Sequence, residues 1–172
     1  MTPKSLLRHK LCVSDKSNFI DGSSFHRVLW DDAESGLSET NLVPDKKIKR
    51  VVMCSGKVYF DLLEERDKRD INDIYLLRFE QFYPFPAISA VKELERFKSA
   101  EMVWCQEEPK NQGSWTFMEP NLEWVLTRIK AKFKRPKYVG RAASASPATG
   151  LASTHKNQQE VLVNEALSFG GH

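Results

Sequence analysis

Three glutamates stand where an α/β enzyme would use them. Glu80, Glu107 and Glu108 each follow a short apolar run that reads as a strand. Carboxylates brought close together raise one another's pKa toward the range of general acid–base work. No nucleophile, histidine or metal-ligand spacing accompanies them, so the same groups also suit helix N-termini or ion pairs with Arg and Lys. Ser55-Gly56-Lys57 ends another apolar run and opens a helix, a place where backbone N–H groups can receive an anion. A plain tight turn needs that glycine equally well. The longer phosphate loop, GxxxxGK followed by Ser or Thr, is absent, because Val58 follows Lys57.

Other reactive side chains are less suggestive. His9, His26, His155 and His172 show neither HExxH nor any other ligand spacing. Cys54 and Cys105 lie in apolar runs without a thiolate-activating signature and read as buried thiols. With Cys12 they make an odd number, which fits neither a disulfide framework nor a zinc site. Phe82, Tyr83, Phe85, Trp104, Trp115, Phe117 and Trp124 gather near the ends of the second and third strands. They lack the interleaved basic residues of a single-strand binder, so Phe82, Tyr83, Trp104 and Trp115 are read as core or interface anchors. Arg8, Lys10, Lys46, Lys47, Lys49, Arg50 and Arg141 sit at element boundaries. Several would converge on a phosphate-rich ligand if the leading segment folds back over the sheet. Otherwise they are solvated charge.

The elements that must position these groups begin at Lys47. Residues 50–54 form a continuous apolar run ended by Ser55-Gly56, the pattern of a strand covered on both faces. The following helix directs Val58, Leu62 and Tyr59 inward and Glu64, Glu65, Arg66 and Lys68 to water. The unit repeats with a strand at 74–79 and an amphipathic helix presenting Ile88, Val91, Leu94 and Phe97. A third strand covers 102–106, and the helix after it is expected to start near Pro120. Residues 137–141 read as a further strand. The last helix lies near 155–169, with Val161, Leu162, Ala166 and Leu167 inward. Such alternation predicts a three-layer α/β/α domain with a mostly parallel sheet of four or five strands. Ligands of such sheets sit beyond the carboxyl ends of the strands. Residues 1–46 have short apolar pieces without a period and are expected to form an irregular lead-in packed on a neighbouring domain, ahead of an α/β domain at 47–172.

Composition bounds the function classes. The 172 residues are 41% hydrophobic and 28% charged, which suits a packed domain and argues against default disorder. A net charge of +3 gives no reason to expect nucleic acid or an acidic membrane as partner. No apolar run approaches the ~18–20 residues of a membrane span, and the start lacks a secretory signal. An interior compartment is expected.

KRVVMCSGKVYFDLLEERDKR, LLRFEQFYPFP, VWCQEEPKNQGSW and YVGRAASASPATG occur in that order, with SLLRHKLCVSD before them and HKNQQEVLVNEAL after. Together these blocks resemble the C-terminal region of the decarboxylating first component of the 2-oxoglutarate dehydrogenase complex. The resemblance covers nearly the whole chain, with residues 15–47 least constrained. It implies a transketolase C-terminal domain-like fold and a parent enzyme, of the tricarboxylic acid cycle, that uses thiamine diphosphate and magnesium to decarboxylate 2-oxoglutarate. That enzyme passes the succinyl group to a lipoyl arm of the second, succinyltransferase component. The implied partners are the upstream domains, a second subunit in a homodimer and that second component. The implied setting is the bacterial cytoplasm or the mitochondrial matrix.

The cofactor motif, Gly-Asp-Gly with a later Asn, is not found here, so cofactor and metal would be held upstream and this chain alone would be inactive. Met1 is then expected to be an internal residue of a longer frame. Some family members bind acetyl-CoA as an activator, and the positions carried over for it are Arg8, Lys47, Arg50 and Arg141. Activator-responsive members have a second arginine where this chain has Gly140. Two other classes are weighed against this module: an independent enzyme using the three glutamates, and an independent anion-, coenzyme A- or nucleotide-binding α/β module built on Ser55-Gly56-Lys57.

Overall fold

Three apolar runs become the central strands of one sheet. A computed structural model describes residues 3–169; Met1, Thr2 and the terminal 170–172, His172 among them, lie outside the described residues. The strands are β1 (Val28–Leu29), β2 (Arg50–Cys54), β3 (Ile74–Phe79), β4 (Glu101–Pro109) and β5 (Lys137–Arg141). Their order is β1-β3-β2-β4-β5. β2, β3, β4 and β5 pair in parallel, and β1 is added antiparallel to β3. Each parallel step needs a crossover. These are α1 (Val58–Lys68) after β2, α2 (Ala87–Leu94) after β3 and α3 (Trp115–Arg128) after β4, with α4 (Ala152–Ala166) following β5.

Alternation along the strands divides the core in two. Val51, Met53, Tyr75, Leu77, Phe79, Met102 and Trp104 face α2 and α3. Val52, Cys54, Ile74, Leu76, Val103, Cys105 and Val139 face α1 and α4. The result is the expected three-layer α/β arrangement, with a mostly parallel sheet of five strands.

Several positions differ from the sequence expectation. α3 starts at Trp115, not near Pro120. The N–H that Pro120 lacks would have met the Thr116 carbonyl; both residues are exposed, so water can satisfy that carbonyl. The buried Trp115 and Met118 anchor the turn in the meantime. Val161 is exposed, while Leu162, Ala166 and Leu167 are buried as expected. Ile88 is 88% exposed rather than inward, although Leu94 and Phe97 of the same stripe are buried. Arg66, expected in water, is fully buried.

The burial of Arg66 explains how the leading segment is held. Its guanidinium grips the buried Asp31, Nη1 bonding Oδ2 and Nη2 donating to Oδ1 at 2.9 Å. Asp31 also accepts from the backbone N–H of Leu76 at 2.7 Å and of Ala33 at 3.0 Å. Four donors therefore fill the carboxylate, the condition under which a buried charge is tolerated. Burial opposes the Arg66 charge, but the bonds and charge of Asp31 outweigh it and raise the pKa. Ser38 and Thr40 donate to Asp67 at 2.8 and 2.7 Å, and Arg96 bridges Glu34 and Asp45. Residues 28–48 are thus fastened across α1, β3 and the end of α2. Farther forward, among short 3₁₀ turns, Leu6 is buried against the α1/α4 layer, whereas Leu7, Val13, Phe19, Ile20 and Phe25 are exposed.

Candidate functional site

The carboxyl edge of the sheet collects most of the residues singled out above. Gly56 adopts φ +72° and turns the chain from β2 into α1, a conformation that favours glycine. The Lys57 amine beside it meets Asp61 at 2.5 Å and Glu107 at 3.5 Å. Burial works against that charge, but the bond to Asp61 and the two carboxylates raise the Lys57 pKa. Asp61 accepts as well from Gln159 Nε2 of α4 at 2.8 Å. Lys57 is therefore already neutralised by two internal carboxylates, which disfavours the anion-binding use of Ser55-Gly56-Lys57.

The three glutamates do not converge. β2 lies between β3 and β4, so Glu80 and Glu107 are on strands that are not neighbours. Glu80 instead pairs with Arg78 at 2.8 Å, Glu107 faces Lys57, and Glu108 is exposed. The Arg78 guanidinium lies over the Tyr59 ring at 4.5 Å, a cation–π contact that ties the end of β3 to the first turn of α1. Burial raises the pKa of nearby Asp32, with Arg78 opposing it.

Gln106, read only as a strand end, organises the β4 exit. Its Oε1 accepts from Trp104 Nε1 and from the Trp115 backbone N–H, both at 3.0 Å, and its Nε2 donates to the Gln112 carbonyl at 2.8 Å. One side chain thus fixes both the start of α3 and the loop before it. Trp104 and Trp115 are buried anchors, Phe82 is half-buried against the core, and Tyr83 is exposed rather than anchoring. Cys54 and Cys105 are buried and Cys12 is exposed. Burial pushes the Cys54 thiol up to about 12 and that of Cys105 well above its ordinary value.

The four cations carried over for an activator fall at two ends of the sheet. Arg50 opens β2 at the amino edge and is fully buried. It donates through Nε to Glu101 at 2.7 Å and through Nη1 to the carbonyls of Glu165, Ala166 and Ser168 at 3.0, 2.8 and 2.6 Å. It is the cation that caps the C-terminus of α4, where the helix dipole favours positive charge. Lys47, in the turn before β2, is exposed at the same edge. Arg141 ends β5 at the opposite, carboxyl edge, with Nη2 at 2.9 Å from His155 Nδ1. Arg8 is exposed next to His9, whose ring lies 5.7 Å from that of Phe60 in the first turn of α1. Arg8 and Arg141 thus share the carboxyl edge, while Lys47 and Arg50 do not.

Gly140 is enclosed. A Cβ there would stand 2.5 Å from Tyr138 Oη and 2.7 Å from the Gln106 carbonyl oxygen. Tyr138 Oη itself donates to the Arg141 carbonyl at 2.8 Å, so the tyrosine fills the space a second arginine would enter. Among the described residues no three His, Cys, Asp or Glu side chains gather as a metal site.

Layering, topology and a carboxyl edge of mutually paired polar groups define a three-layer α/β domain with a mostly parallel sheet. Residues 13–167 match the family model described as 2-oxoglutarate dehydrogenase C-terminal, and the chain belongs to that family. It is 60% identical over 168 residues to the 2-oxoglutarate dehydrogenase E1 components of Brucella anthropi and Brucella ovis, and 59% identical to that of Brucella abortus. Each match covers 97% of this chain and 17% of the relative, so the chain spans about one sixth of the length of the curated relatives it matches.

Proposed function

We propose that the chain serves as the C-terminal structural and effector-reading domain of a 2-oxoglutarate dehydrogenase first component, and that it does not turn over substrate by itself. The whole enzyme would decarboxylate 2-oxoglutarate and deliver the succinyl group to the lipoyl arm of the succinyltransferase component. Thiamine diphosphate and magnesium would be held by upstream domains. The assembly would be a homodimer in a bacterial cytoplasm or a mitochondrial matrix. The observation that carries the reading is the match itself: 60% identity along 97% of the chain, confined to 17% of the relative. A second feature agrees with it. Leu7, Val13, Phe19, Ile20 and Phe25 are exposed in a segment whose next part is fastened to the sheet by Asp31 and Arg66, as a lead-in packed on a neighbouring domain would be.

For the activator, Arg141 is the phosphate-reading cation of this reading, with Arg8 on the same edge as its companion. Arg50 and Lys47 act from the other edge, Arg50 by holding α4. The 172-residue chain supplied with 2-oxoglutarate, thiamine diphosphate and magnesium is expected to release no carbon dioxide, and measurable turnover would refute the proposal. In the enzyme of full relative length, Arg141→Ala is expected to remove any acetyl-CoA response and leave unactivated turnover near normal. Equal loss of both would show that Arg141 supports the fold instead.

A further inference from the structure

The outer face of α2 and α3 has an apolar groove that the reading above does not use. Ala87, Ile88 and Val91 of α2 form one wall, Trp124 of α3 the other, and the cavity between them measures about 540 Å³. That volume is within the range of about 300–1,000 Å³ typical of sites that take a ligand or a side-chain cluster. Ile88 at 88% and Trp124 at 52% are large apolar groups left in water. Phe117, seven residues before Trp124 and therefore on the same face of α3, extends the apolar surface.

The rim carries Lys92, Glu95 and Arg128. Glu95 is paired with Lys98 at 2.8 Å, and Arg128 lies over the Trp124 ring at 5.5 Å. Neither Lys92 nor Arg128 has a carboxylate partner among the described residues. Elsewhere on the helices Lys57, Arg66, Arg69 and Lys156 all do. An apolar floor between two uncompensated cations is complementary to an apolar segment flanked by carboxylates. Both walls are helices, and among the described residues no unpaired strand edge borders the groove, so a backbone-pairing strand has nothing to pair with. The apolar positions of an amphipathic helix would fill the space between Ile88, Val91 and Trp124.

We propose that this groove docks an acidic amphipathic helix of a partner protein. Its apolar i, i+4 side chains enter between Ile88 and Trp124, and its flanking Glu or Asp meets Lys92 and Arg128. The charges set partner choice and orientation, and the apolar contact holds the complex.

The test uses the 172-residue chain and two fluorescein-labelled synthetic helices with the same leucine stripe, one flanked by Glu and one by Lys. Fluorescence anisotropy at low salt is expected to show binding of the Glu helix and at least about tenfold weaker binding of the Lys helix. The double variant Lys92→Glu with Arg128→Glu is expected to reverse that preference, and Ile88→Asp to abolish binding of both. All three positions are exposed, and an unchanged Tm verifies that the fold survives. Equal binding of the two helices, or none, would overturn the proposal. So would a dimer of the unmodified chain in sedimentation that becomes a monomer on Ile88→Asp, because a second copy would then occupy the groove.

Discussion

Replacing Arg66 with methionine keeps most of the side-chain volume and removes the charge that balances Asp31. Both groups are buried, and the carboxylate would keep only the N–H groups of Ala33 and Leu76. Breaking a buried ion pair from one side costs about 3–5 kcal/mol, because the other charge stays behind unpaired. With a urea slope of about 2 kcal/mol/M, the unfolding midpoint is expected to fall by ~1.5–2.5 M. The second arm of the experiment adds Asp31→Asn. The amide carries no charge and keeps one acceptor oxygen, so the double variant leaves one backbone N–H without its acceptor, a loss of about 1–3 kcal/mol. It is therefore expected to be more stable than Arg66→Met alone, despite carrying one more substitution. Circular dichroism during urea titration measures both. A midpoint shift under about 0.5 M for Arg66→Met, or a double variant no more stable than the single one, would refute the argument that a buried charge pair fastens residues 28–40 to α1 and β3.

A thiol reagent is expected to modify only Cys12 in the native chain and all three cysteines in urea, and rapid native labelling of Cys54 or Cys105 would contradict their burial. Burial raises the folded Cys54 thiol to about 12 from an ordinary 9.0, so its contribution to stability is complete below pH 9 and is lost as pH rises toward 12. Denaturation at pH 8 and pH 10 is expected to differ by about 1.4 kcal/mol through this group, a contribution absent in Cys54→Ala. Arg50→Ala removes the cap on the last turn of α4 and is expected to destabilise by about 2–3 kcal/mol, with faster amide exchange at the end of α4. Stability within about 0.5 kcal/mol of the parent would return Arg50 to the list of free cations. Gly140→Ala pushes a Cβ against the Gln106 carbonyl and the Tyr138 ring and is expected to cost about 1–3 kcal/mol, read as a lower Tm. Gly140→Ala together with Tyr138→Phe, which frees no space at the carbonyl, is expected to remain as unstable.

The sheet was legible because parallel strands covered on both faces leave uninterrupted apolar runs, as at 50–54 and 74–79. β1 was not, since two residues paired to Phe79 and Arg78 make no run. The contacts of Arg66 and Arg50 are hidden from the sequence for a common reason. Each is a cation beside other charged residues in the sequence, and each is buried by partners 35 and more than 100 positions away, at Asp31 and at the end of α4. Local pattern contains no trace of either contact. Of the two uses open to the glutamates, ion pairing is the one formed by Glu80 with Arg78 and Glu107 with Lys57, because β2 is inserted between β3 and β4, a placement that follows from the crossovers and not from any residue near Glu80 or Glu107.

The spacing of apolar residues in α2 accounts for the exposure of Ile88. Ile88, Val91, Leu94 and Phe97 recur at a strict interval of three, whereas a helix turns about 100° per residue, so each step falls about 60° short of a full turn. Between Ile88 and Leu94 the stripe drifts by about 120°, too far for both to face the sheet. Leu94 takes the core position with Ala90, four residues earlier, and Ile88 is carried round toward α3 and into water. An interval-three stripe on a helix packed at one end therefore signals a second apolar face. Here that face is the wall opposite Trp124, so the feature that contradicts the simple inward reading of α2 is the one that supplies a groove to dock against.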